Sequence, residues 1–132
     1  AKVLSIEGSA ELAQAAQQLH GSLGISNVEV ITGNFDTELE KTLRGAVPPL
    51  LVYFDGNHRK TATLQYFNAC FKHADENSIF IFDDIYWSPE MTEAWEEIKK
   101  HPAVTLTIDI YKMGICFFRK ENLAKENFIL RY

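Results

Sequence analysis

The residues best suited to chemistry stand where apolar runs of strand length stop. Leu50 to Phe54 breaks off into Asp55-Gly56-Asn57-His58, and Ser78 to Phe82 breaks off into Asp83-Asp84. A carboxylate close to an imidazole suits proton transfer, because histidine titrates near neutrality. Glycine after Asp55 permits a tight turn or a close backbone approach. Asp83 and Asp84 would be costly to bury unless protonated, paired or metal-bound, and two or three carboxylates on one edge suit a hard cation such as Mg²⁺ or Ca²⁺. Near the start, Glu7, followed by Gly8, ends another such run. A carboxylate there suits two vicinal ribose hydroxyls, which donate to it together. Each feature has a plainer reading. Glu7 favours a helix N-terminus, Asn57 caps the next helix, and Asp83-Asp84 are solvated loop acids. Trp87, just beyond the acidic edge, walls a pocket or simply packs. His20, His73 and His101 have no zinc-ligand spacing.

These side chains have to be positioned by an alternation of strands and helices. Unbroken Val, Ile, Leu, Tyr and Phe runs read as strands buried on both faces, the habit of a parallel sheet under helices. In such sheets ligands bind at the carboxyl ends of the strands. Lys2 to Glu7 and Val28 to Thr32 read as the first strands. Between them Leu12, Ala16, Leu19 and Leu23 recur at helical spacing after the N-cap Ser9, and Gly21 and Gly24 close the helix. Asp36 is expected to cap a short helix ending near Gly45 and Pro48-Pro49. Leu64, Phe67, Cys70, Phe71 and Ala74 mark one helix face, and Met91, Ala94, Trp95 and Ile98 another. Ser88-Pro89-Glu90 is a strong start for the latter. Val104 to Tyr111 and Ile115 to Arg119 are too close for a parallel crossover and are predicted to form an antiparallel hairpin. The tail from Glu121 is expected to be an edge strand or a packed extension. The pattern gives an α/β three-layer sandwich, mostly parallel, in one domain over residues 1–132.

Composition narrows the function. The 132 residues are 46% hydrophobic, enough to bury a core, and the net charge of −5 has no basic cluster, which argues against nucleic acid or an anionic membrane surface. No apolar run approaches the ~18 residues of a membrane span, and no signal peptide is expected. Cys70 and Cys116 read as reduced core thiols of a cytoplasmic protein. The seven glycines form no G-x-G pair, so no nucleotide-cradling loop is expected.

The order strand-Glu7, strand-Gly33-Asn34, FDGNH, FIFDDI and a terminal hairpin resembles the class I S-adenosylmethionine-dependent methyltransferases, in particular the small-molecule O-methyltransferase-like group. The resemblance implies a Rossmann-like sheet whose last strand is antiparallel, with S-adenosylmethionine as cofactor and a small-molecule methyl acceptor, oxygen rather than nitrogen. It implies that Glu7, with Gly8, takes the ribose hydroxyls, that Asn34 faces adenine, and that Asp55 lies near the methionine moiety and the acceptor. Acids matching Asp55, Asp83 and Asp84 hold a divalent cation in some members, and His58 falls where some keep a base. Asn34 departs from the commoner acid and Asp84 from a commoner Asn. Members place a strand and a glycine-rich loop before the acid that is residue 7 here. The expectation is therefore a truncated, inactive domain lacking its first strand, with an exposed sheet edge open to homo-oligomer formation. Two other classes compete: a non-catalytic α/β binding or interaction module, and a receiver-like signalling domain. The order of the acids argues against the receiver.

Overall fold

A computed structural model describes residues 1–122 and 124–131. They form two compact units, Ala1–Gly45 and Ala46–Tyr132.

In the first unit β1 (Val3–Glu7) pairs in parallel with β2 (Val28–Thr32), with Glu7 opposite Thr32. The connecting helix α1 (Ala10–Ser22) starts as its sequence requires: the Ser9 hydroxyl accepts from the Leu12 amide, and Glu11 stands in the first turn. It ends at Leu23, with Gly24 at φ 67°, a conformation cheap only for glycine. The face of α1 differs from the expectation. Ala13 is buried, Ala16 and His20 are half-buried, and Leu12, Leu19 and Leu23 are exposed. Small side chains let a helix approach a sheet closely, and two strands are too narrow to cover the leucine stripe as well. Helix α2 (Phe35–Leu43) is capped by Asn34 rather than Asp36: the Asn34 side chain accepts from the Asp36 amide at 2.9 Å.

The second unit is a five-stranded sheet ordered β3-β4-β6-β5-β7. Its strands are β3 (Leu51–Phe54), β4 (Ile79–Phe82), β5 (Leu106–Asp109), β6 (Gly114–Phe117) and β7 (Glu126–Ile129). β3 and β4 run parallel, and β6 lies antiparallel between β4 and β5, as the short connection demands. The tail does form an edge strand, β7, which runs parallel to β5. Helices α3 (Lys60–Phe71) and α4 (Pro89–Lys100) supply one covering layer. Phe67 of α3 packs edge-on against Phe80 with centroids 6.0 Å apart, and Trp95 of α4 lies 6.2 Å from Phe82. Phe67, Phe80, Phe82, Trp95, Ile98 and Val104 are all but inaccessible to solvent, and burial of each large apolar side chain stabilises by about 1.5–3 kcal/mol. Cys70 and Cys116 are buried free thiols, and burial pushes Cys70 up to about 12 and Cys116 higher still.

The strands are not buried on both faces, as their composition had suggested. Side chains alternate across the pleat, so Phe54, Phe80, Phe82 and Cys116 share the helix-covered face. Leu51, Tyr53, Ile79, Ile81, Ile115 and Phe117 share the other, where Ile79, Ile81, Ile115 and Phe117 are half-buried and Leu51 and Tyr53 exposed.

Candidate functional site

Each acid predicted to end a strand does so. In the first unit Glu7 is the last residue of β1. Its Oε1 accepts from the Ser9 amide at 2.7 Å, so one carboxylate oxygen steadies the turn into α1. Gly8 sits beside the Gly33 carbonyl, and a side-chain carbon there would lie 4.0 Å from that oxygen, an ordinary contact. The Gly33 amide donates to the Glu7 carbonyl at 3.0 Å, which holds the two strand ends together. Glu7 thus ends β1, and Gly8 and Asn34 lie just beyond β1 and β2 at the same edge.

In the second unit the ends of β3 and β4 are joined by the Asp83 amide, which donates to the Phe54 carbonyl at 3.0 Å. Beyond them His58 is flanked by two carboxylates: its Nε2 lies 3.9 Å from Asp55 Oδ1 and 3.9 Å from Asp84 Oδ2. The ring is partly sheltered, and the Trp87 ring stands 6.5 Å away while remaining 72% exposed, so Trp87 does not serve the core. Both loops that carry this group bend through a left-handed residue, Asn57 at φ 50° and Asp84 at φ 51°. Asn and Asp tolerate that region better than other non-glycine residues, and such conformations cluster at functional sites. Asn57 does not cap α3. Its Nδ2 donates to the Tyr66 hydroxyl at 3.2 Å, and the N-cap is Arg59, which makes no side-chain bond to the helix.

Asp83 faces elsewhere. Its Oδ2 accepts the Tyr53 hydroxyl at 2.9 Å and its Oδ1 the Asp84 amide at 2.9 Å. Burial first, and the Asp83 carboxylate second, push the Tyr53 hydroxyl up to about 12. This explains why Asp55, Asp83 and Asp84 do not converge as expected: one is committed to a phenol and an amide, and two flank an imidazole. Among the described residues no group of three or more His, Cys, Asp or Glu could hold a metal ion. The residues present do not fit a divalent cation.

Two features escaped sequence reasoning. In the sequence Tyr53 is one residue of an apolar strand run, although it stands two positions before Asp55 on β3. Asp109, at the end of β5, is buried; it accepts the Tyr86 hydroxyl and, at 2.9 Å, the Tyr111 amide. That hydrogen bond first, and burial second, push Tyr86 up to about 12. The signal was present, since Asp109 repeats the habit of an acid closing an apolar strand.

The family model for the Methyltransferase domain matches residues 1–85, more than half of the chain. No curated protein matches it. Among solved structures, the SAH-bound methyltransferase PaMTH1 of Podospora anserina superposes with a TM-score of 0.72 at 13% identity, covering 91% of this chain and 62% of its own. The O-methyltransferase TomG of Streptomyces achromogenes, involved in tomaymycin synthesis and solved with SAM, gives 0.72 at 18% identity, covering 89% and 62%. An O-methyltransferase of Bacillus cereus in complex with SAH gives 0.69 at 18% identity, covering 88% and 62%. At these identities the likeness is one of fold, and this chain spans 62% of the length of each of the three. No helix among the described residues is long and apolar enough to cross a membrane.

Proposed function

Since the chain belongs to the Methyltransferase domain family, we propose that the whole protein transfers a methyl group from S-adenosylmethionine to a hydroxyl oxygen of a small-molecule acceptor. The observation that carries this is His58 set between Asp55 and Asp84 at the carboxyl ends of parallel strands, where α/β sheets bind ligands. His58 is the general base. The imidazole takes the acceptor proton as the oxygen attacks, and the two carboxylates stabilise the imidazolium that results. When bound, S-adenosylmethionine would supply an electrophilic methyl group on a sulfonium, with a neutral thioether as the leaving group. Catalysis is otherwise a matter of alignment, since in-line attack demands that the reacting atoms be held about 3–3.5 Å apart.

Glu7, Gly8 and Asn34 form the nucleoside-binding edge in this reading. Glu7 has spent one oxygen on Ser9, and a carboxylate offers about four lone-pair sites in all, so capacity remains for ribose hydroxyls. Asn34, at the end of the neighbouring strand, would face adenine. The sequence has no G-x-G pair to cradle the other side of the nucleoside. The 132 residues alone are therefore expected to bind weakly and to be inactive, because losing several contacts at about 1 kcal/mol each lowers affinity by orders of magnitude. β3 is an outermost strand with Leu51 and Tyr53 exposed, which favours pairing with another copy of the chain.

Calorimetric titration of the whole protein with S-adenosylhomocysteine tests this reading. Binding that is lost on Glu7→Ala supports it. No binding by the whole protein would remove S-adenosylmethionine as cofactor and leave a non-catalytic module.

A further inference from the structure

A carboxylate can assist His58 only if its position is fixed, and Asp84 lies on a loop in a backbone conformation that is costly without support. We propose that Tyr53 is a positioning residue which, acting through Asp83, holds the Asp84 carboxylate opposite His58. The inference rests on the reading of His58 as the base.

The connection is continuous. The Tyr53 hydroxyl donates to Asp83 Oδ2 at 2.9 Å, and the Asp84 amide donates to Asp83 Oδ1 at 2.9 Å. Asp83 is thereby held at both oxygens, once from the adjacent strand and once from the turn that it begins. The amide so engaged belongs to the residue at φ 51°, and the same residue's Oδ2 stands 3.9 Å from His58 Nε2. The far side of the turn is secured independently, by the Trp87 amide donating to the Asp84 carbonyl at 2.9 Å. Without the phenol, Asp83 would have one anchor and could rotate away from the Asp84 amide, which would remove the local bond that compensates the left-handed backbone.

Packing alone does not call for a tyrosine here. Tyr53 is half exposed and lies on the sheet face opposite the phenylalanine cluster, so its ring is no core element. The hydroxyl also remains a donor over the whole range in which histidine titrates, since an ordinary phenol keeps its proton up to about 10. Tyr53 and Asp83 are 30 residues apart and meet only because β3 and β4 are parallel neighbours with Tyr53 opposite Ile81.

The test uses the full chain with ¹⁵N-labelled histidine, read by long-range ¹H–¹⁵N correlation at one fixed pH above the ordinary histidine range. Asp84→Asn calibrates the response by neutralising the carboxylate that faces the ring. Tyr53→Phe, which removes one oxygen and keeps the ring, is expected to shift the His58 ring-nitrogen signals in the same direction. The signals of His20, His73 and His101, and the unfolding midpoint, should stay near the parent values. An unmoved His58 in Tyr53→Phe would overturn the proposal, and so would an Asp84→Asn variant without effect on His58. Titration of the whole protein with S-adenosylhomocysteine separates the two readings: failure of the whole protein to bind removes methyl transfer, while the coupling of Tyr53 to His58 is read from the spectrum regardless.

Discussion

His58 and His101 show how differently one side chain behaves in two settings. His58 lies between carboxylates at strand ends, whereas His101 closes α4 with its ring against Phe67 and Phe71, at centroid distances of 5.1 and 4.9 Å. Replacing His58 with Gln in the whole protein should lower the methyl-transfer rate by about 10²–10⁴-fold, the usual contribution of a general base, and leave S-adenosylhomocysteine affinity near the parent value. An unchanged rate at every pH would take His58 out of the mechanism. His101 has a structural consequence instead. Burial first, and the nearby Lys125 second, hold its pKa below the ordinary 6.5, and its Nδ1 accepts from the Ala103 amide, which suits the neutral ring. Above about 6.5 the ring is neutral in both the folded and the unfolded chain, and stability is fully present. As pH falls below that value the unfolded chain takes up the proton first, so stability declines until the lowered folded pKa has been passed. The thermal midpoint should therefore fall on mild acidification, and His101→Gln should flatten that dependence. An equal slope in the variant would assign the effect to other groups.

At the scale of elements, the hairpin of β5 and β6 depends on one close approach. A side-chain carbon at Gly114 would lie 2.6 Å from Cη2 and 2.7 Å from Cζ2 and Cζ3 of Trp95, a ring only 1% exposed and packed against Phe82. A buried indole has nowhere to go. Gly114→Ala should cost about 3 kcal/mol, the upper part of the overpacking range, measured as a lowered urea midpoint. A loss well below that would show that β6 moves away from α4 cheaply. The start of α4 illustrates the opposite case, in which local chemistry suffices. Ser88 accepts from the Met91 amide through its hydroxyl, Pro89 opens the first turn and Glu90 follows, all within four residues.

For the whole molecule, the uneven distribution of apolar surface matters most. β3 ends its sheet with Leu51 at 72% and Tyr53 at 51% exposure, and β7 ends the other side with Phe128, Ile129 and Leu130 exposed. Edge strands of this kind usually carry a lysine, a proline or a bulge that discourages pairing, and within Leu51–Phe54 there is none. The chain should associate in a concentration-dependent manner in analytical ultracentrifugation, and Leu51→Lys should shift it toward monomer. A parent that stays monomeric at high concentration, or a variant that associates equally, would exclude β3 as the contact.

The sequence by itself determined the features that need only near neighbours: the strand–helix alternation, the antiparallel hairpin, the caps at Ser9 and Ser88, and acids closing the strands at Glu7, Asp55 and Asp83. These follow from periodicity and turn chemistry within a few residues. Tertiary structure alone decided that Ala13 rather than Leu12 faces the strands in α1, and that β7 joins β5 in parallel. It also decided that Asp83 is committed to Tyr53, 30 residues away, and Asp109 to Tyr86, 23 residues away, while Asp55 and Asp84 are left to flank His58. The physical reason is that a carboxylate's role depends on which donor reaches it first, and strand register and turn geometry set that across stretches of chain over which no local pattern extends.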